Sequence, residues 1–105
     1  MSYEQTVMGI IANGGTGRSL SMRAIAEARV GNFKEAQSLL EQANEALVCA
    51  HGIQTDLIQD EARGSNHKIT LLMVHAQDHL MNAMTVKDLA TEMIEIIKEN
   101  KEVKN

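Results

Sequence analysis

The chain has 105 residues, the size of one ordinary domain, so we treat residues 1–105 as a single domain. Hydrophobic residues make up 44% and charged residues 23%, as in globular proteins, whereas aromatic residues make up only 2% and proline is absent. These counts disfavour β-sandwiches and barrels and favour an all-α fold with an aliphatic core. The net charge of -4 disfavours a nucleic-acid-binding protein, and the single cysteine, Cys49, excludes an internal disulfide.

The expected location of the protein follows from three further features. No run approaches the roughly 20 apolar residues that a membrane-spanning helix needs. The first residues lack the basic region that opens a signal peptide. A lone cysteine agrees with a reducing compartment. We therefore expect a cytoplasmic protein without direct membrane insertion.

The first predicted helix begins near Tyr3. Ser2 and Gln5 have the spacing of a capping box, in which each side chain bonds to the backbone of the other residue. Apolar residues then recur at helical intervals until Gly31, a residue type that commonly follows the last turn of a helix.

Two more helices are predicted beyond Gly31. Asn32 gives a capping signal, and apolar residues spaced by three and four positions continue as far as Ile58. Residues 63–68 are predicted to form a loop, and a third helix runs from about Ile69 to about Asn100. Helices of about 30 residues are about 45 Å long, and short links between them predict an antiparallel, up-down-up three-helix bundle.

The third helix is apolar on more sides than two partner helices can cover, so we expect the protein to be an oligomer. The alternative is an exposed, methionine-rich face that binds another protein. Three stripes along this helix are Leu72–His75–His79–Val86, Leu71–Val74–Asp78–Met81 and Met73–Ala76–Leu80–Met84.

A cluster of titratable residues interrupts this apolar segment. His75, Asp78 and His79 occupy helix positions i, i+3 and i+4, so their side chains lie near one another. Polar groups are costly to bury unless they are paired or used, which favours a functional site over histidines that merely belong to the core. His51, Gln54 and Thr55, on the second helix, are expected to form a polar network at the end of the bundle; the alternative is that they support the site.

The cluster admits three chemical interpretations, which the residues alone leave open. His75, Asp78 and His79 are a usable set of zinc ligands, although Ala76 replaces the glutamate of the HExxH motif. A neutral histidine can instead act as a nucleophile that accepts and passes on a phosphoryl group. In the third interpretation, Asp78 residues from several subunits bind one metal ion.

The glycine-rich segment from Asn13 to Ser19 lies within the first predicted helix. It lacks the preceding strand and the Gly-Lys-Ser/Thr ending of a phosphate-binding loop. Three glycines weaken a helix by up to roughly 3 kcal/mol relative to alanine, so a compensating role is expected. That role is either close approach of a neighbouring helix or space for a partner or phosphoryl group.

Three segments resemble the lactose/cellobiose-type enzyme IIA components of the bacterial sugar phosphotransferase system, and the resemblance covers nearly the whole chain. The most specific is VHAQDHLMNAM, residues 74–84; MGIIANGGTGRSL, residues 8–20, and AHGIQTDLI, residues 50–58, support it. The variant with alanine after the first histidine is more similar to the cellobiose/diacetylchitobiose branch. Thr16-Gly17 departs from the family, which more often has a larger residue and alanine there.

The resemblance implies a reaction and a site. His75 would accept a phosphoryl group from the carrier protein HPr and pass it to a cysteine of a IIB component, for uptake of a β-linked disaccharide. It implies a homotrimer of three-helix subunits, with Asp78 holding a divalent metal ion, expected to be Mg²⁺, on the threefold axis. Gln77 and His79 would have supporting roles. The alternatives are a non-enzymatic helical adaptor and a metal-binding helical bundle.

Overall fold

A computed structural model describes residues 2–104, with side chains as far as residue 102, and contains three α-helices and no strand in that part of the chain. They are α1 (Tyr3–Arg29), α2 (Phe33–Ala62) and α3 (Leu71–Lys104). The all-α prediction is confirmed. Helix α3 starts two residues later than the expected Ile69 and extends beyond the expected end near Asn100. No helix in the described part is long and apolar enough to cross a membrane.

The predicted capping box opens α1. The Gln5 backbone N–H donates to Ser2 Oγ at 3.2 Å, and the Ser2 N–H donates to Gln5 Oε1 at 3.1 Å. At α3 the cap is Thr70, whose hydroxyl oxygen accepts a bond from the Met73 N–H at 3.1 Å. This bond explains why α3 begins at Leu71 rather than at Ile69.

Glycines end α1 and α2, as predicted. Gly31 and Gly64 have φ values of +87° and +100°, in the region that favours glycine. The Asn32 N–H returns to the Glu27 carbonyl at 2.9 Å, which closes the turn. The predicted side-chain cap of Asn32 on α2 is wrong, because its amide instead donates to Glu27 Oε2 at 2.8 Å.

The helices pack as an elongated, antiparallel bundle. Tyr3 at the start of α1 lies beside the connection between α2 and α3, where its hydroxyl donates to the Lys68 carbonyl at 2.6 Å. Phe33 at the start of α2 lies beside the end of α3, with Lys101 Nζ 5.8 Å from its ring centre. The bundle measures 59 × 20 × 20 Å. The chain therefore runs up, down and up, as the short connections predict.

The core follows steps of three and four residues, the spacing of left-handed helical bundles. The buried side of α1 consists mostly of residues with small side chains: Ile10 is followed by Gly14, Gly17, Ser21, Ala24 and Ala28. Small residues let neighbouring helices approach closely, so α1 packs extensively against both α2 and α3, whereas α2 and α3 touch each other less.

Gly17 is one of the two positions, Thr16 and Gly17, that were expected to depart from the family, and Leu47 of α2 leaves no room for an alanine there. A Cβ atom at Gly17 would lie only 2.5 Å from Leu47 Cγ. Leu47 is buried against α1 and fills the space that the missing side chain leaves. The Ser21 hydroxyl, also buried, is satisfied by donating to the Gly17 carbonyl at 2.8 Å. Helix α1 remains continuous through this segment.

One face of α3 is left uncovered in the single chain. Leu71 is 86% exposed and Leu89 is 57% exposed. Single exposed leucines are common on protein surfaces, but several on one helix indicate a surface that binds something. The apolar surface of α3 thus exceeds what α1 and α2 cover, as its sequence indicates. The exposed large apolar residues of this helix are Leu71, Leu72, Val74, Met81, Leu89, Met93 and Ile96.

We predict opposite stability effects for alanine at two helical glycines. Gly17→Ala should lower the free energy of unfolding by about 1 kcal/mol, because overpacking against Leu47 costs roughly 1–3 kcal/mol and exceeds the gain in helix propensity of about 1 kcal/mol. Gly52→Ala is the matched control: no atom lies within 4 Å of its Cβ position, so only the propensity gain remains. Urea unfolding measures both, and a stabilised Gly17→Ala variant would contradict the packing described.

Candidate functional site

The His75–His79 segment occupies the second and third turns of α3. Ala76 and Leu80, both completely buried, anchor this stretch to the core formed with α1 and α2. Their side chains fix the rotation of the helix, so His75 and Asp78 are exposed while His79 is half-buried. In the single chain α1 and α2 cover only the side of the helix that carries Ala76 and Leu80.

The two histidines of the cluster lie one above the other. Their ring centres are 5.8 Å apart and the ring planes make an angle of 24°. His79 is the inner ring, packed against α1, and His75 is the outer ring, open to solvent. A protein partner can therefore reach the His75 imidazole directly.

Gly14 and Gly15 of α1 form a notch that receives His79. A Cβ atom at Gly14 would lie 3.3 Å from His79 Cδ2, and one at Gly15 would lie 3.2 Å from His79 Nε2. Both distances are tighter than ordinary contacts of a side chain. The segment is helical and follows no strand, so it is not a phosphate-binding loop. Of the two roles left open by the sequence, close helix approach is the one present in the structure.

Gln77 points to the other side of α3, towards α2. Its Oε1 accepts a hydrogen bond from Nε2 of Gln54, and its own Nε2 donates to Met73 Sδ at 3.3 Å. Gln54 is only 9% exposed and lies in the α2 core stripe. The sequence indicated a polar network at Gln54 but not its partner, because the partner depends on the register between α2 and α3.

Asp78 is an exposed carboxylate on the uncovered face of α3, between Val74 and Met81. Within residues 2–102 no basic side chain forms an ion pair with it. The same part of the chain has no group of three His, Cys, Asp or Glu side chains placed to hold a metal ion. The zinc site formed by His75, Asp78 and His79 of one chain is therefore not supported.

The other two histidines lie apart from the cluster. His51 is exposed on α2, and His67 lies in the α2–α3 connection, where its ring stacks on Tyr3 with centres 5.3 Å apart. Neither sits beside the glycine notch. His75 differs from His51 and His67 in its surroundings: its ring is exposed, whereas Ala76 and Leu80 on the opposite side of the same helical segment are buried in the core.

Comparison with known proteins identifies the family. The family model described as "PTS system, Lactose/Cellobiose specific IIA subunit" matches residues 5–98, which is most of the chain. The chain belongs to this family. A lichenan-specific phosphotransferase enzyme IIA component from Bacillus subtilis is 58% identical, over 89% of this chain and 84% of its own length. The N,N'-diacetylchitobiose-specific EIIA component of Escherichia coli is 44% identical, over 89% and 80%.

Solved structures of relatives have the same fold. The cellobiose-specific enzyme IIA from Bacillus anthracis matches with a TM-score of 0.93 and 46% identity, over 97% of this chain and 94% of its own. A solution structure of the complex between the chitobiose IIA component and HPr matches with a TM-score of 0.84 and 40% identity, over 96% and 98%. The resemblance indicated by the sequence is confirmed. As a IIA component the chain is a phosphotransferase relay protein, which decides against the non-enzymatic adaptor.

Proposed function

We propose that this IIA component accepts a phosphoryl group from phospho-HPr on His75 and passes it to a cysteine of its IIB component. The uptake of a β-linked disaccharide of the cellobiose/chitobiose type would be driven by this relay, in the cytoplasm. The observation that carries the proposal is the His75 ring, exposed on a segment of α3 whose opposite side is buried. The relatives named for lichenan, cellobiose and diacetylchitobiose support the substrate class.

For the transfer itself, the main task of the protein is to hold the histidine ring in line with the phosphoryl group. A ring nitrogen of neutral His75 supplies the electron pair of the new N–P bond, and the leaving imidazole of HPr keeps the pair of the N–P bond that breaks. In the second step the IIB thiolate supplies the pair of a new S–P bond, and His75 keeps the pair of its own. Each transition state is loose and in line, so a well-placed nucleophile is the main requirement.

His79 and Gln77 have different supporting roles. His79, wedged in the glycine notch, backs the His75 ring and limits its motion. Gln77 is two residues from His75, about 200° around the helix, so the two side chains of one chain do not face each other. The Gln77 amide is held against Gln54 of α2, so its proposed supporting role runs through the packing of α3 against α2.

We predict that His75→Gln abolishes phosphoryl uptake while the fold and the oligomeric state remain. The residue is exposed, so its replacement removes no core contact. His51→Gln is the matched control, since it changes an exposed histidine on α2 and should leave uptake normal. Acid-labile phosphate is measured after incubation with phospho-HPr. Normal uptake by His75→Gln would refute the assignment of the acceptor.

The uncovered face of α3 is the proposed interface of a homotrimer. Most of its exposed large apolar residues recur along one side of the helix, with the exposed polar residues Asn82 and Thr85 between Met81 and Leu89, and monomers rarely leave so much apolar surface in water. Three copies related by a closed threefold axis would bury it with the same surface from each subunit. Asp78, an exposed carboxylate between Val74 and Met81, would then face its two copies.

Asp78 is the proposed ligand of a divalent metal ion on that axis. One chain offers a single exposed carboxylate there, which does not make a metal site, whereas three chains offer three oxygen-donor groups. Without compensation three carboxylates at one point would repel one another. Oxygen ligands suit Mg²⁺ or Ca²⁺, with waters completing the shell, and the ion would neutralise part of the charge.

We predict that Asp78→Leu leaves the trimer as stable as the wild type or more stable, because replacing buried ionic groups by apolar ones is often favourable. Asp78→Asn should keep the shape and lose the metal ion. Asp56→Leu, at an exposed carboxylate of α2, is the control and should change neither property. Sedimentation with and without a chelator measures the assembly. A wild-type monomer at micromolar concentration would overturn the trimer and the metal site together.

A further inference from the structure

Arg18 is a charged residue of the glycine-rich segment that the fold of the single chain leaves unexplained. It is exposed on α1 and forms no ion pair within residues 2–102. It follows Gly14 and Gly15, which lie beside His79 of α3, by four and three residues, so it stands on the side of α1 that faces α3. Its guanidinium is therefore available to a group of another molecule.

A cleft of about 170 Å³ opens between α2 and α3. Its apolar part is formed by Leu47, Val48 and Met84, and Val48 is 62% exposed. Asp88 also lines the cleft; its side chain is 74% exposed and pairs with the adjacent Lys87 at 3.3 Å. Apolar walls beside an accessible carboxylate suit an arginine side chain, which has an apolar stem and a charged, forked end.

Arg18 and the cleft lie at the same height along the bundle but on different sides of it. A Cβ atom at Gly14 would lie 3.6 Å from Leu80 Cα, which relates the height of α1 to that of α3. Both helices run in the same direction, so four residues further along each of them Arg18 is level with Met84. Met84 is five residues from His79, about 140° around α3, so the cleft lies away from the side of α3 that meets α1.

A closed ring of three copies brings these two features together. The exposed apolar residues of α3 run from Leu71 to Ile96, so an axis that buries them must be nearly parallel to this helix. Rotation about such an axis keeps every residue at its height. In a ring each copy contacts the next through two different flanks, which here are the α1 side and the α2 side of α3. Arg18 of one copy therefore comes to lie beside the cleft of the next.

From this placement we infer that Arg18 of one subunit binds the cleft between α2 and α3 of the next subunit. Its methylene stem packs against Val48 and Met84, and its guanidinium pairs with Asp88. The inference rests on the proposed homotrimer and adds a second contact surface to the one on α3. The glycine-rich segment then has two roles: its glycines admit α3 of the same chain, and its arginine holds the neighbouring copy.

Exchange of the two charges tests the contact directly. Arg18→Asp places a carboxylate beside Asp88 of the next copy, and Asp88→Arg places a guanidinium beside Arg18. Each variant alone should raise the dissociation constant of the trimer by about tenfold or more. The double variant Arg18→Asp/Asp88→Arg restores opposite charges and should recover most of that loss. Arg18→Gln, which removes the charge without reversing it, should show a smaller loss than Arg18→Asp.

Arg23→Asp is the matched control. It makes the same change of charge at an exposed arginine of α1 that lies five residues, about 140°, further around the helix, so assembly should not change. Sedimentation velocity over a range of protein concentrations measures the dissociation of the trimer, and circular dichroism checks that each variant is folded. Equal losses in Arg18→Asp and Arg23→Asp would show a general effect of charge and overturn the inference.

The remaining outcomes separate this inference from the proposed function. A wild-type monomer overturns the trimer and the inference together, whereas a wild-type trimer that Arg18→Asp leaves intact overturns the inference alone. A double variant that assembles no better than the single variants also overturns it. If Arg18→Asp lowers phosphoryl uptake from phospho-HPr without weakening the trimer, Arg18 serves the partner protein or the phosphoryl group instead, and the contact between copies is wrong.

Discussion

The rotation of helix α3 depends on a close contact with α1, where residues with little or no side chain meet beside the completely buried Leu80. Gly14 and Gly15 of α1 leave a notch for the His79 ring, and Ala76 of α3 lies completely buried a turn earlier. Because Gly14, Gly15 and Ala76 leave little space at this contact, a larger residue at any of them would push α3 outwards or rotate it. The rest of the site depends on that rotation: it leaves His75 exposed and directs Gln77 towards α2.

The same close packing explains why α1 contacts both other helices and why α3 keeps an uncovered side. Helix α1 has a narrow, small-residue side and can contact both neighbours closely, while Leu47 of α2 fills the space at Gly17. The weaker helix propensity of the glycines, about 1 kcal/mol each relative to alanine, is offset by contacts that no larger residue allows. Helix α3, supported from one side only, keeps a second apolar side available for the proposed assembly of subunits.

Much of the fold could be predicted from the sequence, because its signals are local. The capping box at Ser2 and the glycines at the ends of α1 and α2 mark boundaries through backbone chemistry that needs no distant partner. The absence of a side-chain cap at Asn32 could not be predicted, since it depends on the hydrogen bond that its amide donates to Glu27 of the preceding helix. The start of α3 was missed by two residues because apolar character at Ile69 outweighed the capping signal of Thr70.

The sequence singles out the residues of the candidate site, but it does not show what surrounds them. Spacing alone brings His75 and His79 together on one helix, and the structure places their rings 5.8 Å apart. The exposure of His75 and the bond from Gln54 to Gln77 depend on how α3 is rotated and how it is aligned with α2, which no single helix encodes. A polar residue in an otherwise apolar core stripe was the only sign of the Gln54 contact.

The central claim is that one exposed imidazole, His75, carries the phosphoryl group. The most direct measurement is a set of imidazole ¹H–¹⁵N correlation spectra of the chain, recorded before and after incubation with phospho-HPr. We predict that one ring nitrogen of His75 acquires the signal of phosphohistidine. The His79 ring should move only slightly, as a stacked neighbour, and the rings of His51 and His67 should not change. A phosphohistidine signal on His51, His67 or His79, or on no histidine, would contradict the assignment of His75 as the acceptor.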